Sequence, residues 1–432
     1  MRNKLLSIVS SLILFFGVSV VCAENMPLPK TDPESVGFSA ERLQRLDRSM
    51  HALVDEGELS GIVTCVARHG RIVHQDAYGK RDIENNKPMQ MDTIFRLYSM
   101  SKPVTGVAMM ILYEEGKWHP SDPLAMHFPE FKDLMVHAGV DDRGKDILEK
   151  PKRMPTVGDV MSHTAGFTYG FFGDSPVDEL YKKIEPMGVD STDEFIERMA
   201  NLPLLYHPGE AWVYSVSVDI QGALIERLSG MSLADFMRTR IFEPLKMKDT
   251  AFFVPKDKLD RLATVYVLQE DSLKPLPHDA NVTTQPGFQS GGGGLYSTAN
   301  DFLRFAQMLI NEGELDGVRL LAPSTVQLMR SNQLSERLLT GGFGIGFQQI
   351  RPGFGFGYDV AIFVDPAKVG STTGKGTYLW DGAAGTWFWN DPTNDIVFTG
   401  LIQRMVTGPG MPNVQNLSRS LVHQALIYPV RD

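Results

Sequence analysis

Cysteine is almost missing from this chain: Cys22 and Cys65 are the only two in 432 residues. If Cys22 belongs to a leader that is removed, Cys65 has no partner, no internal disulfide forms, and the fold must be held by its core. Cys65 lies in the apolar run Ile62-Val63-Thr64-Cys65-Val66-Ala67 and reads as a packed thiol rather than a nucleophile. No Cys/His set has zinc spacing and no His-Glu-x-x-His occurs, so neither a metal nor another cofactor is implied. A surplus of basic residues is missing too. Acids outnumber bases by 52 to 42, which leaves nothing to attract nucleic acid or an anionic membrane surface. The pattern Gly-x-Ser-x-Gly is absent, and with it one common way of presenting a nucleophilic serine. Repeats and low-complexity tracts are absent as well.

What remains is a composition typical of a globular protein, 43 % hydrophobic and 22 % charged. Residues 1–23 carry Arg2 and Lys4, then the apolar run Leu5 to Val21, then Val21-Cys22-Ala23, and read as a secretory signal peptide. A lipoprotein anchored through Cys22 and an uncleaved membrane anchor are the competing readings. Cleavage would move the formal charge from −10 to −12 and place the protein outside the cytoplasm, secreted or periplasmic, with no membrane contact. Next, Ser39 can cap an amphipathic helix through Leu43, Leu46, Met50, Leu53 and Val54, ending near Gly57. Gly61 to Arg68 and Ile72 to Tyr78 read as a β-hairpin.

From about Lys117 to Pro286 strand signals thin out, and helices are expected at Thr192 to Ala200, Ser217 to Leu228 and Leu233 to Ile241. The stretch Gly291-Gly292-Gly293-Gly294 marks backbone passing close to a neighbour, more naturally a strand than a substrate cleft. A helix capped by Thr298 follows from Ala299 to Ile310. Strands return at Gly344–Ile350, Val360–Val364, Gly376–Trp380, Thr386–Asn390 and Ile396–Ile402, and a helix from Val414 to Ile427 closes the chain. The expected organisation is an α/β domain from residues 24–116 and 287–432, with one antiparallel sheet built from both ends. Residues 117–286 would form an inserted helical lobe.

The chemistry concentrates at Phe95-Arg96-Leu97-Tyr98-Ser99-Met100-Ser101-Lys102-Pro103, the only place where Ser-x-x-Lys occurs. Pro103 belongs in the first turn of a helix, so Ser99 lies at or just before that turn, where free N–H groups and the dipole favour negative charge. Lys102, three residues on, shares its face. A serine attacking a carbonyl also needs a proton acceptor, and Tyr214 is the best candidate: a nearby ammonium such as Lys102 would lower its pKa and leave some phenolate. A buried structural tyrosine is the alternative. In Trp380-Asp381-Gly382-Ala383, small residues would let a carbonyl lie against the strand and accept a backbone N–H; a close-packed strand crossing explains them equally well.

Ser99-Met100-Ser101-Lys102, the Tyr214 segment, the Trp380-Asp381-Gly382 segment and Ser162-His163-Thr164-Ala165-Gly166 together resemble the serine β-lactamase and penicillin-binding-protein fold. The branch they resemble holds class C β-lactamases and family VIII carboxylesterases. The resemblance implies an α/β sandwich with a helical lobe and the active site between them. It implies Ser99 as nucleophile, Lys102 and Tyr214 as its activating pair, and the amides of Ser99 and Ala383 as the oxyanion hole. Trp380, Asp381 and Gly382 would border the substrate, and His163 would be structural. Two departures shape the substrate. Ser215-Val216 follow Tyr214 where class C enzymes carry Tyr-x-Asn, so the amide that holds a β-lactam side chain is missing, and Trp380-Asp381 stand where they carry Lys-Thr, so the cation and hydroxyl that would receive the β-lactam carboxylate are lost. The leading expectation is therefore a small-molecule ester substrate, short to medium in its acyl chain, cleaved through an acyl-enzyme. A β-lactamase or D-amino-acid peptidase is the nearest rival, and a non-catalytic sensor the third reading. Phe167, Tyr169, Phe171 and Phe172 could line an acyl pocket or fill the lobe core.

Overall fold

The computed structural model describes residues 27–341, 343–345, 348–350, 352–405 and 412–428. The leader with Cys22 lies outside these residues, as does part of the strand expected at 344–350. The chain opens with α1 (Ala40–Asp55), where Ser39 Oγ accepts from the Arg42 amide and Leu43, Leu46 and Met50 turn inward. Strands β1 (Gly61–Arg68), β2 (Arg71–Asp82) and β3 (Lys87–Pro88) follow, then α2 (Lys102–Glu114). The inserted segment supplies α3 (Val157–Met161), α4 (Pro176–Ile184) and α5 (Ser217–Ser229). Helix α6 (Ala299–Ile310) returns the chain to the sheet, capped by Thr298, whose side chain accepts from the Asp301 amide. Strands β4 (Phe354–Phe356), β5 (Ala361–Phe363), β6 (Tyr378–Asp381), β7 (Trp387–Asp391) and β8 (Ile396–Leu401) precede α7 (Val414–His423).

All eight strands form one antiparallel sheet in the order β4-β5-β6-β7-β8-β1-β2-β3. Its centre is the pairing of β1 with β8, Val63 opposite Leu401 through Arg68 opposite Ile396, so the first and last parts of the chain are zipped together. Every residue of β1, β7 and β8 is buried, as expected for central strands covered on both faces. Helices α1 and α7 pack together on one side, and α6 lies along β1, β7 and β8. Cys65 is 1 % exposed, and burial pushes its thiol up to about 12, the environment of a packed side chain.

The inserted segment is less uniformly helical than its sequence suggests. It carries two short hairpins, Val136–Val140 with Asp146–Glu149 and Tyr266–Gln269 with Ser272–Pro275. The second hairpin bonds to the sheet layer: the Tyr266 amide donates to the Gln403 carbonyl and the Met405 amide to the Tyr266 carbonyl. The helix expected at 233–241 stops at Met237 and continues as a π-turn over Arg238–Phe242.

Candidate active site

Ser99 lies in a 3-10 turn, Tyr98–Ser101, that runs straight into α2. Its amide is in the first turn and has no carbonyl four residues back to bond. The residue before it, Tyr98, holds a φ of +49°, a left-handed conformation costly for an aromatic residue. The Arg96 guanidinium, 4.5 Å from the Tyr98 ring centre and paired with Asp279 at 2.7 Å, braces that turn. Ser99 is partly exposed, whereas Lys102 is 1 % exposed at the head of a helix buried along most of its length.

Lys102 Nζ donates to Ser99 Oγ at 3.2 Å and to the Gly292 carbonyl at 2.7 Å. Burial pulls its ammonium down to about 8, against the pull of Asp219, Asp359 and Asp381, which favour the charged form. Tyr214, carried on the segment that leads into α5, presents its ring 4.6 Å from Lys102 Nζ. Its phenol is not lowered as the sequence reading expected. Burial pushes it far above the usual tyrosine value and Asp381 and Asp219 add to that, while a hydrogen bond with Ser99 offsets only part. The reason is desolvation: one ammonium, itself surrounded by carboxylates, cannot repay taking a phenolate out of water.

Among the described residues the tetraglycine does not pass a strand, the neighbour its sequence favours. It runs against α5 and Lys102. A Cβ on Gly291 would sit 2.6 Å from the Val218 carbonyl, and one on Gly292 would sit 2.7 Å from Asp219 Oδ2 and 2.8 Å from the Tyr169 hydroxyl. Only glycine lets the Gly292 carbonyl reach Lys102 while its amide donates to Asp219 Oδ1 at 3.1 Å.

On the opposite side, β6 ends beside the serine turn. A Cβ on Gly382 would meet the Leu97 carbonyl at 2.1 Å, and Thr386 Oγ1 donates to that same carbonyl at 2.9 Å. Gly382 is therefore required by a close crossing of two backbones, two residues before Ser99. The Ala383 amide, in the turn after β6, donates to no backbone carbonyl of the described residues. Trp380 is buried, its ring packed on Tyr214 at 5.6 Å and on Phe356 at 5.4 Å, so it forms a wall behind the tyrosine. Asp381 accepts from Gln415 Nε2 at 2.5 Å, which ties its carboxylate to α7. His163 is fully buried with its Nδ1 3.2 Å from Ser215 Oγ and its ring 5.2 Å from that of Tyr214. Burial, then the Lys102 charge, hold it well below the usual histidine value, the condition of a neutral packing residue.

Three functional-site residues escaped sequence reasoning. Asp219 accepts from Ser290 Oγ at 2.5 Å and from the Gly292 amide, fixing the strap that holds Lys102; its only signal is its position one turn into the helix after Tyr214. Asp359 and Gln221 meet at 3.0 Å in the interior, and nothing local marks either.

A half-open serine, a buried lysine at the head of its helix and a tyrosine from an inserted segment, set beside an antiparallel sheet, define a serine hydrolase of the β-lactamase and penicillin-binding-protein fold. The chain belongs to the beta-lactamase family, whose profile matches residues 46–418. It is 37 % identical over 364 residues to Protein Rv1367c of Mycobacterium tuberculosis strain H37Rv, covering 82 % of this chain and 88 % of that protein. To Esterase EstB of Burkholderia gladioli it is 30 % identical over 388 residues, covering 84 % and 91 %. Among solved structures it is similar to EstCE1, a hydrolase with promiscuous acyltransferase activity, with a TM-score of 0.73 at 26 % identity, covering 89 % of this chain and 98 % of that one.

Proposed function

We propose that this protein is a serine carboxylesterase that cleaves short to medium acyl esters through an acyl-enzyme on Ser99, acting outside the cytoplasm after loss of its leader. The observation that carries the reading is the buried Lys102 amine bonded to a reachable Ser99. With a pKa of about 8, roughly a tenth of the lysine is neutral at pH 7 and can accept a proton. Neutral Lys102 takes the Ser99 proton as Oγ bonds to the ester carbon. The carbonyl oxygen, now negative, is held by the Ser99 and Ala383 amides, each donor worth about 3 kcal/mol of barrier. The C–O bond to the alcohol breaks, and the alkoxide takes a proton passed from Lys102 through the Tyr214 phenol. Water then attacks the acyl carbon, giving its proton to the same base; the bond from that carbon to Ser99 Oγ breaks, Oγ takes the proton back from Lys102, and the acid leaves. Tyr214 works here as a neutral relay rather than a phenolate, because burial keeps its proton on.

The choice of ester over β-lactam is supported by Trp380 and Asp381, which offer no cation to a substrate carboxylate, and by the esterase relative. Rates on 4-nitrophenyl acetate and on a chromogenic cephalosporin test it. The ester is expected to be turned over faster by orders of magnitude; a preference for the cephalosporin would overturn the assignment.

A further inference from the structure

The rings around Tyr214 do not stop at the catalytic groups. Tyr169 stands 5.3 Å from Tyr214 and 5.3 Å from Lys102 Nζ, and Phe172 stands 5.6 Å from Tyr214. Beyond them Phe171 stacks on Tyr169 at 5.0 Å and 25°, and touches Phe172 at 4.4 Å. Phe171 is 63 % exposed, so an aromatic face is left open to water at the outer end of a row that begins at the catalytic lysine. Phe167 is different: it is 1 % exposed, packs on Phe131 and belongs to the lobe core.

The Phe171–Phe172 pair is held in place. Gly170 and Gly173 bracket it, and both are pinned to α4: a Cβ on Gly170, at φ +85°, would lie 2.6 Å from Tyr181 Cβ, and one on Gly173 would lie 2.2 Å from Asp178 Oδ2. Asp178 is buried and anchors the arch at both ends. It accepts from Thr168 Oγ1 at 2.7 Å and from Ser175 Oγ at 2.6 Å, the latter within a capping box that starts α4. Two adjacent phenylalanines on a four-residue arch would ordinarily turn inward. Here the anchoring leaves one of them outside.

We propose that the Gly170–Gly173 arch is a binding subsite for an aromatic ring of the substrate, with Phe171 and Phe172 as specificity-determining residues, so that the preferred esters carry an aryl group. The inference rests on the esterase reading of the same site. A planar ring can lie on the open Phe171 face and meet Tyr169 and Phe172 in offset or edge-on contact, which a flexible alkyl chain of equal area does less well. Ring contacts of this kind discriminate by roughly two- to tenfold beyond area burial.

Hydrolysis by the full chain, followed by proton release, should be compared for methyl phenylacetate, benzyl acetate, methyl hexanoate and hexyl acetate. The first two place the ring on the acyl or the alcohol side, and the last two are alkyl controls. At least one ring-bearing ester is expected to have a KM roughly fivefold or more below its alkyl control. Phe171→Ala should erase that gap with kcat little changed, and Phe171→Leu, which keeps apolar area without the ring, should erase it too. Phe171 is exposed, so neither variant threatens the fold; Phe172→Leu serves as a second probe. Equal KM values in the wild type, or a Phe171→Ala effect of the same size on ring and alkyl esters, would overturn the subsite and leave the esterase reading intact. Turnover of none of the four esters would overturn both.

Discussion

Asp391 and Asp359 are equally hidden, each at 0 % exposure, yet they sit in opposite electrostatic states. Asp391, at the end of β7, accepts from the Gly374 amide at 2.9 Å, Asn394 Nδ2 at 2.8 Å and His423 Nε2 at 2.8 Å. Its other oxygen takes the Thr393 and Asn394 amides at 3.0 and 3.2 Å. Burial works against its charge, but those donors, His423 foremost, outweigh it and hold the carboxyl below its usual range. Asp359 has one donor to a single oxygen, Gln221 Nε2 at 3.0 Å, and its Oδ2 has no hydrogen-bond partner among the described residues. Burial pushes its carboxyl well above the ordinary value, with Gln221 and then Lys102 compensating only in part.

The contrast separates a carboxylate tied into the fold through both oxygens from one left half-satisfied within reach of the Lys102 charge. Asp391 ties β7 to α7 and closes its turn, a network in which every oxygen is used. Asp359 lies against α2, where a Cβ on Gly106 would come within 2.9 Å of its free oxygen. Gly106 is one turn beyond Lys102 on the same face of α2. A half-satisfied buried acid is a poor way to stabilise a protein, and proteins keep such groups where chemistry uses them.

The largest effects should come from removing the reacting groups. Ser99→Ala is expected to lower ester turnover by at least about 10³-fold, and Lys102→Met by about 10²- to 10⁴-fold. Neither should shift the denaturation midpoint as Asp391→Ala does, and undiminished turnover in Ser99→Ala would remove the nucleophile. Asp391→Ala should cost about 3 kcal/mol in urea unfolding, since it strands His423 and four other donors, while kcat per folded molecule stays unchanged. A loss below about 1 kcal/mol would erase the contrast.

The pH dependence sharpens it further. The acid limb of kcat/KM should fall near pH 8, where Lys102 loses its proton, with the rate dropping about tenfold per unit below it; a limb near 6 would point to another base. In Asp359→Asn the limb should move to lower pH, because a neighbouring carboxylate that favours the ammonium is gone. The stability signs also oppose. Asp391, lowered in the fold, contributes stability above its unfolded value that is lost as pH falls through the folded one. Asp359, raised in the fold, contributes below its unfolded value and loses that contribution as pH rises through the folded one. The smallest effect is therefore a midpoint for Asp359→Asn at pH 7 within about 1 kcal/mol of wild type, on the stabilised side, against a clear loss for Asp391→Ala.

Much of the scaffold was legible because its signals are local. Ser39 and Thr298 cap the helices they were expected to cap, and Ala299–Ile310 and Thr192–Ala200 keep the bounds that apolar spacing implied. The hairpin at 61–78 was legible too, but β2 runs on to Asp82 because its last residues pair with Lys87–Pro88, a partner that alternation within one strand does not reveal. Strand Phe354–Phe356 was missed. Gly353, Gly355 and Gly357 make it read as loop, and only pairing with Ala361–Phe363 keeps it extended.

By itself the sequence determined that a serine and a lysine would share the start of a buried helix, since one helical turn and one proline suffice for that. It also determined that the two ends of the chain would meet in one sheet. Tertiary structure alone decided which way the Lys102 and Tyr214 side chains shift from their ordinary values. That depends on how much water each side chain loses and which charges gather around it, and Asp219, Asp359 and Asp381 reach Lys102 from three separate parts of the chain. The tetraglycine followed the same rule: small residues announce a close approach, and only the packed molecule names the neighbour.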